Sequence, residues 1–199
     1  MRFHKIISTL LHPIVVPTIG VIIYFILIPH GLIKEQQIII LALVFGFTYI
    51  LPVFVLLILK ALKLIDSFQA HSIRERKIPL FLMIIVFYFL GRSLMNISPI
   101  RDLSVLFYGT SLGLFIIYFL FIIKLKTSIH LLSMGSALGF FLVLTSSYSI
   151  SMLPIIMIII LFSGLLGSSR LYLKAHTPTE VYSGFSIGII CQFLVSFVL

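Results

Sequence analysis

The sequence predicts an all-α fold, a polytopic bundle of six to seven transmembrane helices, on two observations. Of its 199 residues, 61% are hydrophobic and 10% charged, with a mean hydropathy of +1.28. A soluble domain of this length cannot bury so much apolar surface. Apolar runs of bilayer-spanning length, roughly 20 residues, also recur along the chain. They are solid blocks such as "IILALVFGFTYILPVFVLLIL", where a membrane β-barrel would show short alternating segments.

Seven apolar segments are expected, at about 10–29, 37–60, 79–95, 103–123, 131–148, 152–167 and 181–199, with breaks that carry Pro, Gly, Ser and charge. The first has basic residues ahead of it, as a signal peptide would. It is longer than a signal core, contains Pro13 and Pro17, and is followed by no small-residue cleavage site, so it is expected to stay in the membrane. The third opens on Pro79, after Arg74, Glu75, Arg76 and Lys77, which suits a first helical turn. Only "SSYSIS" divides the fifth and sixth, the spacing of a tight helical hairpin. Before the seventh, Thr177, Pro178 and Glu180 have the N-cap, N1 and N3 pattern of a helix start. Residues 1–199 read as a single integral membrane domain with no soluble part. The lone Cys191 allows no intramolecular disulfide.

A net charge of +9 is high for so few charged residues. Contact with anionic lipid headgroups, topology determinants and a site for an anionic substrate all account for it. The basic residues are scattered among short loops and form no arm or soluble patch, which argues against nucleic acid as a partner. Membrane lipids are the expected surroundings, and the sequence is silent on oligomeric state.

Three polar loops, near 70–79, 124–130 and 168–180, are each separated from the next by two apolar segments. They therefore lie on one membrane face and can build one site. The third holds Ser169-Arg170, then His176 after five intervening residues, then Glu180 four positions further. Glu180 suits a cap for the last helix, and the same carboxylate can fix the tautomer of His176. The second loop holds Ser128 and His130, and an isolated interfacial histidine is more often structural. The first, with Arg74, Arg76 and Lys77, taken alone reads as an ordinary charged anchor. Together they gather two histidines, a carboxylate and several cations. Arginine forks and serine hydroxyls suit phosphate oxygens. A histidine beside a carboxylate can act as a nucleophile, and a second can protonate a leaving oxygen. "GSALG" and "GFSIG", just inside the helices after His130 and His176, have the GxxxG spacing of closely packed membrane helices.

In these residues the chain resembles the type 2 phosphatidic acid phosphatase (PAP2) superfamily of membrane lipid phosphatases. The family's third motif is Ser-Arg, five residues, His, three residues, Asp. "SRLYLKAHTPTE" follows its order and spacing, with Glu180 in place of Asp. The second, Pro-Ser-Gly-His, is reduced to "TSIH". The first, Lys, six residues, Arg-Pro, is approximated by "RERKIP", where Ile78 intervenes before Pro79 and Arg76 is the best match. The resemblance implies that His176 attacks phosphorus to form a phosphohistidine, that Glu180 orients it, and that His130 protonates the departing lipid oxygen. Ser169, Arg170 and Arg76 would hold the phosphate oxygens, with Arg74, Lys77 and Ser128 in support. No metal or other cofactor enters this scheme.

The expected function is thus hydrolysis of a lipid phosphomonoester or diphosphate, with polyprenyl diphosphate, phosphatidylglycerophosphate, phosphatidate and lipid A phosphate as candidates. The alternatives are a catalytically degenerate PAP2-like protein that binds or moves lipid, and a lipid phosphotransferase. A zinc hydrolase is disfavoured, because His176 and Glu180 lack the HExxH arrangement. Only Lys34, Arg92 and Arg101 fall opposite the motif face, which leaves eleven of the fourteen Lys and Arg on it. The positive-inside rule makes such a face cytoplasmic. The resemblance makes it the outer face of a bacterial inner membrane, and presumed phosphate contacts inflate its charge count, so the expectation leans outward.

Overall fold

A computed structural model describes residues 1–65 and 73–199, with side chains from Glu75 onward in the second part. Arg74 therefore falls outside the described side chains. Among the described residues the chain is all-helical. It runs α1 (Arg2–Leu10), α2 (Val16–Leu27), α3 (Lys34–Phe45), a π-helical turn (Gly46–Ile50), α4 (Leu51–Ala61), α5 (Ile73–Met95), a 3₁₀ turn (Ser98–Ile100), α6 (Leu103–Ile122), α7 (Ile129–Tyr148), α8 (Leu153–Tyr172) and α9 (Pro178–Val198).

Six helical stretches among these residues are long and apolar enough to cross a membrane: Lys34–Ala61, Glu75–Met95, Leu103–Ile122, Ile129–Tyr148, Leu153–Tyr172 and Pro178–Val198. The chain is a helical membrane protein. Its outer helices present large apolar side chains outward, among them Phe54 and Leu57 on α4 and Met157 and Leu161 on α8, as a lipid-facing surface requires.

The first expected segment, 10–29, is not one long helix. Its apolar run contributes the 12 residues of α2, about 18 Å at 1.5 Å per residue, and so falls short of a span. Pro13 lies in the turn ahead of it and Pro17 in its first turn, where a missing N–H is tolerated. The residues before it form α1, an amphipathic helix that no apolar run marks. The second segment is one stretch of 28 residues with the π turn inside it. Pro52 cannot donate to the carbonyl one turn earlier, and a widened turn absorbs that mismatch. Segments five and six are the expected hairpin, α7 and α8, turned at Ser149 in the left-handed conformation (φ 53°). α8 runs on to Tyr172, beyond the expected 167, so Ser169 and Arg170 belong to its last turn and not to a loop.

α7 is the centre of the bundle, buried along most of its length, and packs most extensively against α9. The reason is the paired GxxxG spacings. A Cβ added at Gly135 would lie 2.1 Å from the Phe185 carbonyl oxygen, and one at Gly184 would lie 2.4 Å from that of Ser128. The two backbones touch where side chains would otherwise separate them.

Candidate functional site

Three helices end on one face with the same cap. α4, α6 and α8 are followed by Lys63, Lys124 and Lys174, all at positive φ (56°, 64° and 51°). In each case the next residue's N–H reaches back to close the turn: Leu64 to Leu59 O at 2.9 Å, Leu125 to Leu120 O at 2.9 Å, and Ala175 to Arg170 O at 3.1 Å. This is the Schellman closure, usually built on glycine. Here a cation at the negative end of the helix dipole compensates part of the cost of a left-handed side chain. The chain thus reverses sharply after α6 and after α8, and His130 and His176 lie within a few residues of the reversals.

The two loops then meet. Ser128 N–H donates to the Glu180 carbonyl at 3.0 Å, and the Lys126 ammonium donates to the Ala175 carbonyl at 3.0 Å. His130 in the first turn of α7 and His176 just before α9 are brought to one cavity. Parity along the chain had placed their loops on one face, and packing puts them together.

The cavity has a volume of about 790 Å³. Arg76, His130, Arg170 and His176 line its polar end, joined by Lys126 and Lys174. Its depth is apolar, walled by residues such as Pro52, Met83, Phe87, Leu106 and Phe140 from α4, α5, α6 and α7. A basic mouth above an apolar shaft inside the bundle matches the two ends of an anionic lipid.

Within the mouth, His176 is buried and its Nδ1 lies 2.6 Å from Glu180 Oε2. A carboxylate accepts only, so Nδ1 carries the proton and the Nε2 lone pair is left for chemistry. Thr177 Oγ1 accepts the Glu180 N–H at 3.4 Å, as the N-cap pattern predicts, while the Glu180 carboxylate is turned to His176. Burial presses the His176 imidazole below its ordinary range and outweighs the Glu180 hydrogen bond, which pulls upward; the nearby Arg170, Arg76 and Lys126 charges press in the same direction as burial. Burial thus favours the uncharged ring, the form in which an imidazole is a nucleophile.

Arg170 projects among these groups. Its Nη1 donates to Ser8 Oγ at 2.9 Å, while its buried Nε finds no acceptor among the described residues. Among the described residues the Arg170 guanidinium pairs with no carboxylate. A buried donor of this kind calls for an anion. Arg76 lies within electrostatic reach of Glu180 and Glu75.

The remaining predicted residues are placed differently. Ser169 Oγ is turned away from the cavity to His4 Nδ1, at 3.1 Å. Ser128 is fully buried, its hydroxyl finds no partner among the described residues, and it is not part of the cavity lining. Lys77 is partly buried on α5 and also outside the lining. Sequence reasoning missed the N-terminal contribution. Lys5, Ser8 and Thr9 of α1 and His12 after it all line the cavity. α1 lies along α8, held by Ser8–Arg170, His4–Ser169 and a stack of His4 on Tyr172 with ring centroids 4.1 Å apart. His12 Nδ1 accepts the Ile14 N–H at 3.4 Å, and burial with the Arg170 charge presses its pKa down to about 4.

No group of three or more His, Cys, Asp or Glu side chains gathers to hold a metal ion among the described residues. Comparison with protein-family models finds no match, and searches of curated proteins and of solved structures find none either.

Proposed function

We propose that the protein is a membrane lipid phosphatase of PAP2-like type, which hydrolyses a lipid phosphomonoester or diphosphate through a phosphohistidine. The observation that carries this reading is His176, oriented by Glu180 at 2.6 Å, at the basic mouth of an apolar cavity. In the proposed first step His176 Nε2 attacks phosphorus as the P–O bond to the lipid breaks. His130 gives its proton to the departing oxygen. In the second step water attacks the phosphorus, His130 takes a proton back, and the P–N bond breaks to release inorganic phosphate. Arg170 and Arg76 hold the phosphoryl oxygens, where preorganised donors stabilise the developing charge. The scheme assigns no step to Ser169, whose hydroxyl serves to anchor α1.

The lipid tail would lie in the apolar shaft among α4, α5, α6 and α7. The motif face is proposed to be the outer face of a bacterial inner membrane, since its cations are used for phosphate as well as for topology. Phosphate release by the purified protein in detergent tests the reading, with EDTA present and with phosphatidate, phosphatidylglycerophosphate, undecaprenyl diphosphate and lipid A compared. Release that persists in EDTA and falls at least 10³-fold in His176→Ala is expected. A folded wild type that releases phosphate from none of the four would overturn it and favour lipid binding or transport.

A further inference from the structure

The His130 ring takes no hydrogen bond from any of the described residues. Its backbone carbonyl accepts from Ser133, at 2.8 Å, and among the described residues its imidazole makes one ring-to-ring contact. The other ring is His12, edge to face, with centroids 5.0 Å apart and planes at 81°. A general acid needs its donor nitrogen aimed at the leaving oxygen, and an imidazole without a hydrogen-bonded partner is aimed by packing alone. His12 is itself well fixed. It sits on the connector between α1 and α2, and its Nδ1 is tied to the Ile14 N–H. Upstream of it, α1 is bound to α8 through Ser8 and His4. Burial and the Arg170 charge favour the neutral form of the His12 ring.

We propose that His12 is a positioning residue for His130: its edge-to-face contact holds the rotamer in which His130 hands its proton to the departing lipid oxygen. The proposal rests on the phosphatase reading above. It makes the N-terminal segment, which carries none of the three motifs, a working part of the site.

The leaving group supplies the test. An alkoxide leaving a lipid phosphomonoester must be protonated, whereas nitrophenolate leaves without a proton. Phosphate release by the full-length protein in detergent is therefore compared for phosphatidate and p-nitrophenyl phosphate. In His12→Ala, release from phosphatidate is expected to fall about tenfold to a hundredfold, with a far smaller loss on p-nitrophenyl phosphate. The double variant His12→Ala/His130→Ala should be no slower on phosphatidate than His130→Ala alone, because the two act as one unit. His12→Phe keeps the ring contact and should recover most of the lost rate. Should His12→Ala prove unstable, His12→Phe still decides: a ring that folds but does not recover the rate overturns the proposal. So does an equal loss on both substrates, an additive double variant, or a His12→Ala enzyme as fast as wild type. Where another of the four lipids is the substrate it takes the place of phosphatidate, and a folded wild type inactive on all four lipids and on p-nitrophenyl phosphate would instead overturn the phosphatase reading itself.

Discussion

Two helix contacts deliver groups to the same cavity by opposite means. In the α7–α9 seam, which carries His130 and His176 at its top, glycine lets backbone meet backbone. A Cβ has no room there, with the Phe185 carbonyl 2.1 Å from where one would stand on Gly135. In the α1–α8 contact, side chains do the work: Ser8 on Arg170 at 2.9 Å, His4 on Ser169 at 3.1 Å, and one stacked ring pair. α1 keeps Phe3, Ile6 and Leu10 exposed. Backbone contact fixes position rigidly, and its loss cannot be relieved by a rotamer change. Side-chain contacts are individually weak and replaceable, each bond contributing about 1 kcal/mol net. The site thus has a rigid half that holds His176 and His130, the proposed nucleophile and acid, and an adjustable half that touches Arg170 and His130.

The comparison breaks first at the seam. Gly135→Ala is expected to destabilise the protein by more than about 3 kcal/mol, because backbone on the facing helix must move. Phosphate release should be lost with it, since the helices behind both histidines are forced apart. Thermal unfolding in detergent beside the release assay measures both. An alanine variant as stable as wild type would mean that the seam is looser than its geometry.

A smaller effect is expected from the adjustable half. Ser8→Ala frees the Arg170 Nη1 that Ser8 now holds. Stability should fall by only about 1 kcal/mol. Arg170 is proposed to grip phosphate, so the kinetic effect should fall on KM, a change of about tenfold or less with kcat little altered. A collapse in stability like that of Gly135→Ala would erase the distinction between the two contacts.

The seam was legible in the sequence and the α1–α8 contact was not, for a physical reason. GxxxG has a fixed spacing because the helix repeat sets which positions face a neighbour. His176 and Glu180 are likewise four apart on a helix start, so their contact is a local consequence of spacing. Parity alone aligned the loops of Arg76, His130 and Arg170. Nothing local ties Ser8 to Arg170, 162 residues away, or His12 to His130. α1 is too short and too polar to register as an apolar segment, and the prolines that follow it hid the true start of α2. Ser169 illustrates the converse: its place follows from spacing, but its hydroxyl faces His4 of α1, a direction that spacing along one helix does not determine.

The smallest effect should come from Lys124, which reverses the chain after α6 on the way to His130. Its φ of 64° suits glycine, and a side chain there costs energy. Lys124→Gly relieves that strain but gives up a favourable charge at the helix end and loosens the unfolded chain. The three terms nearly cancel, so the expected gain is from a few tenths of a kcal/mol to about 1 kcal/mol. Lys124 lies outside the cavity lining, so phosphate release should stay close to wild type. A marked loss of release at unchanged stability would mean that the turn before α7, and not the glycine seam, sets the position of His130. The rigid half of the site would then begin in the loop.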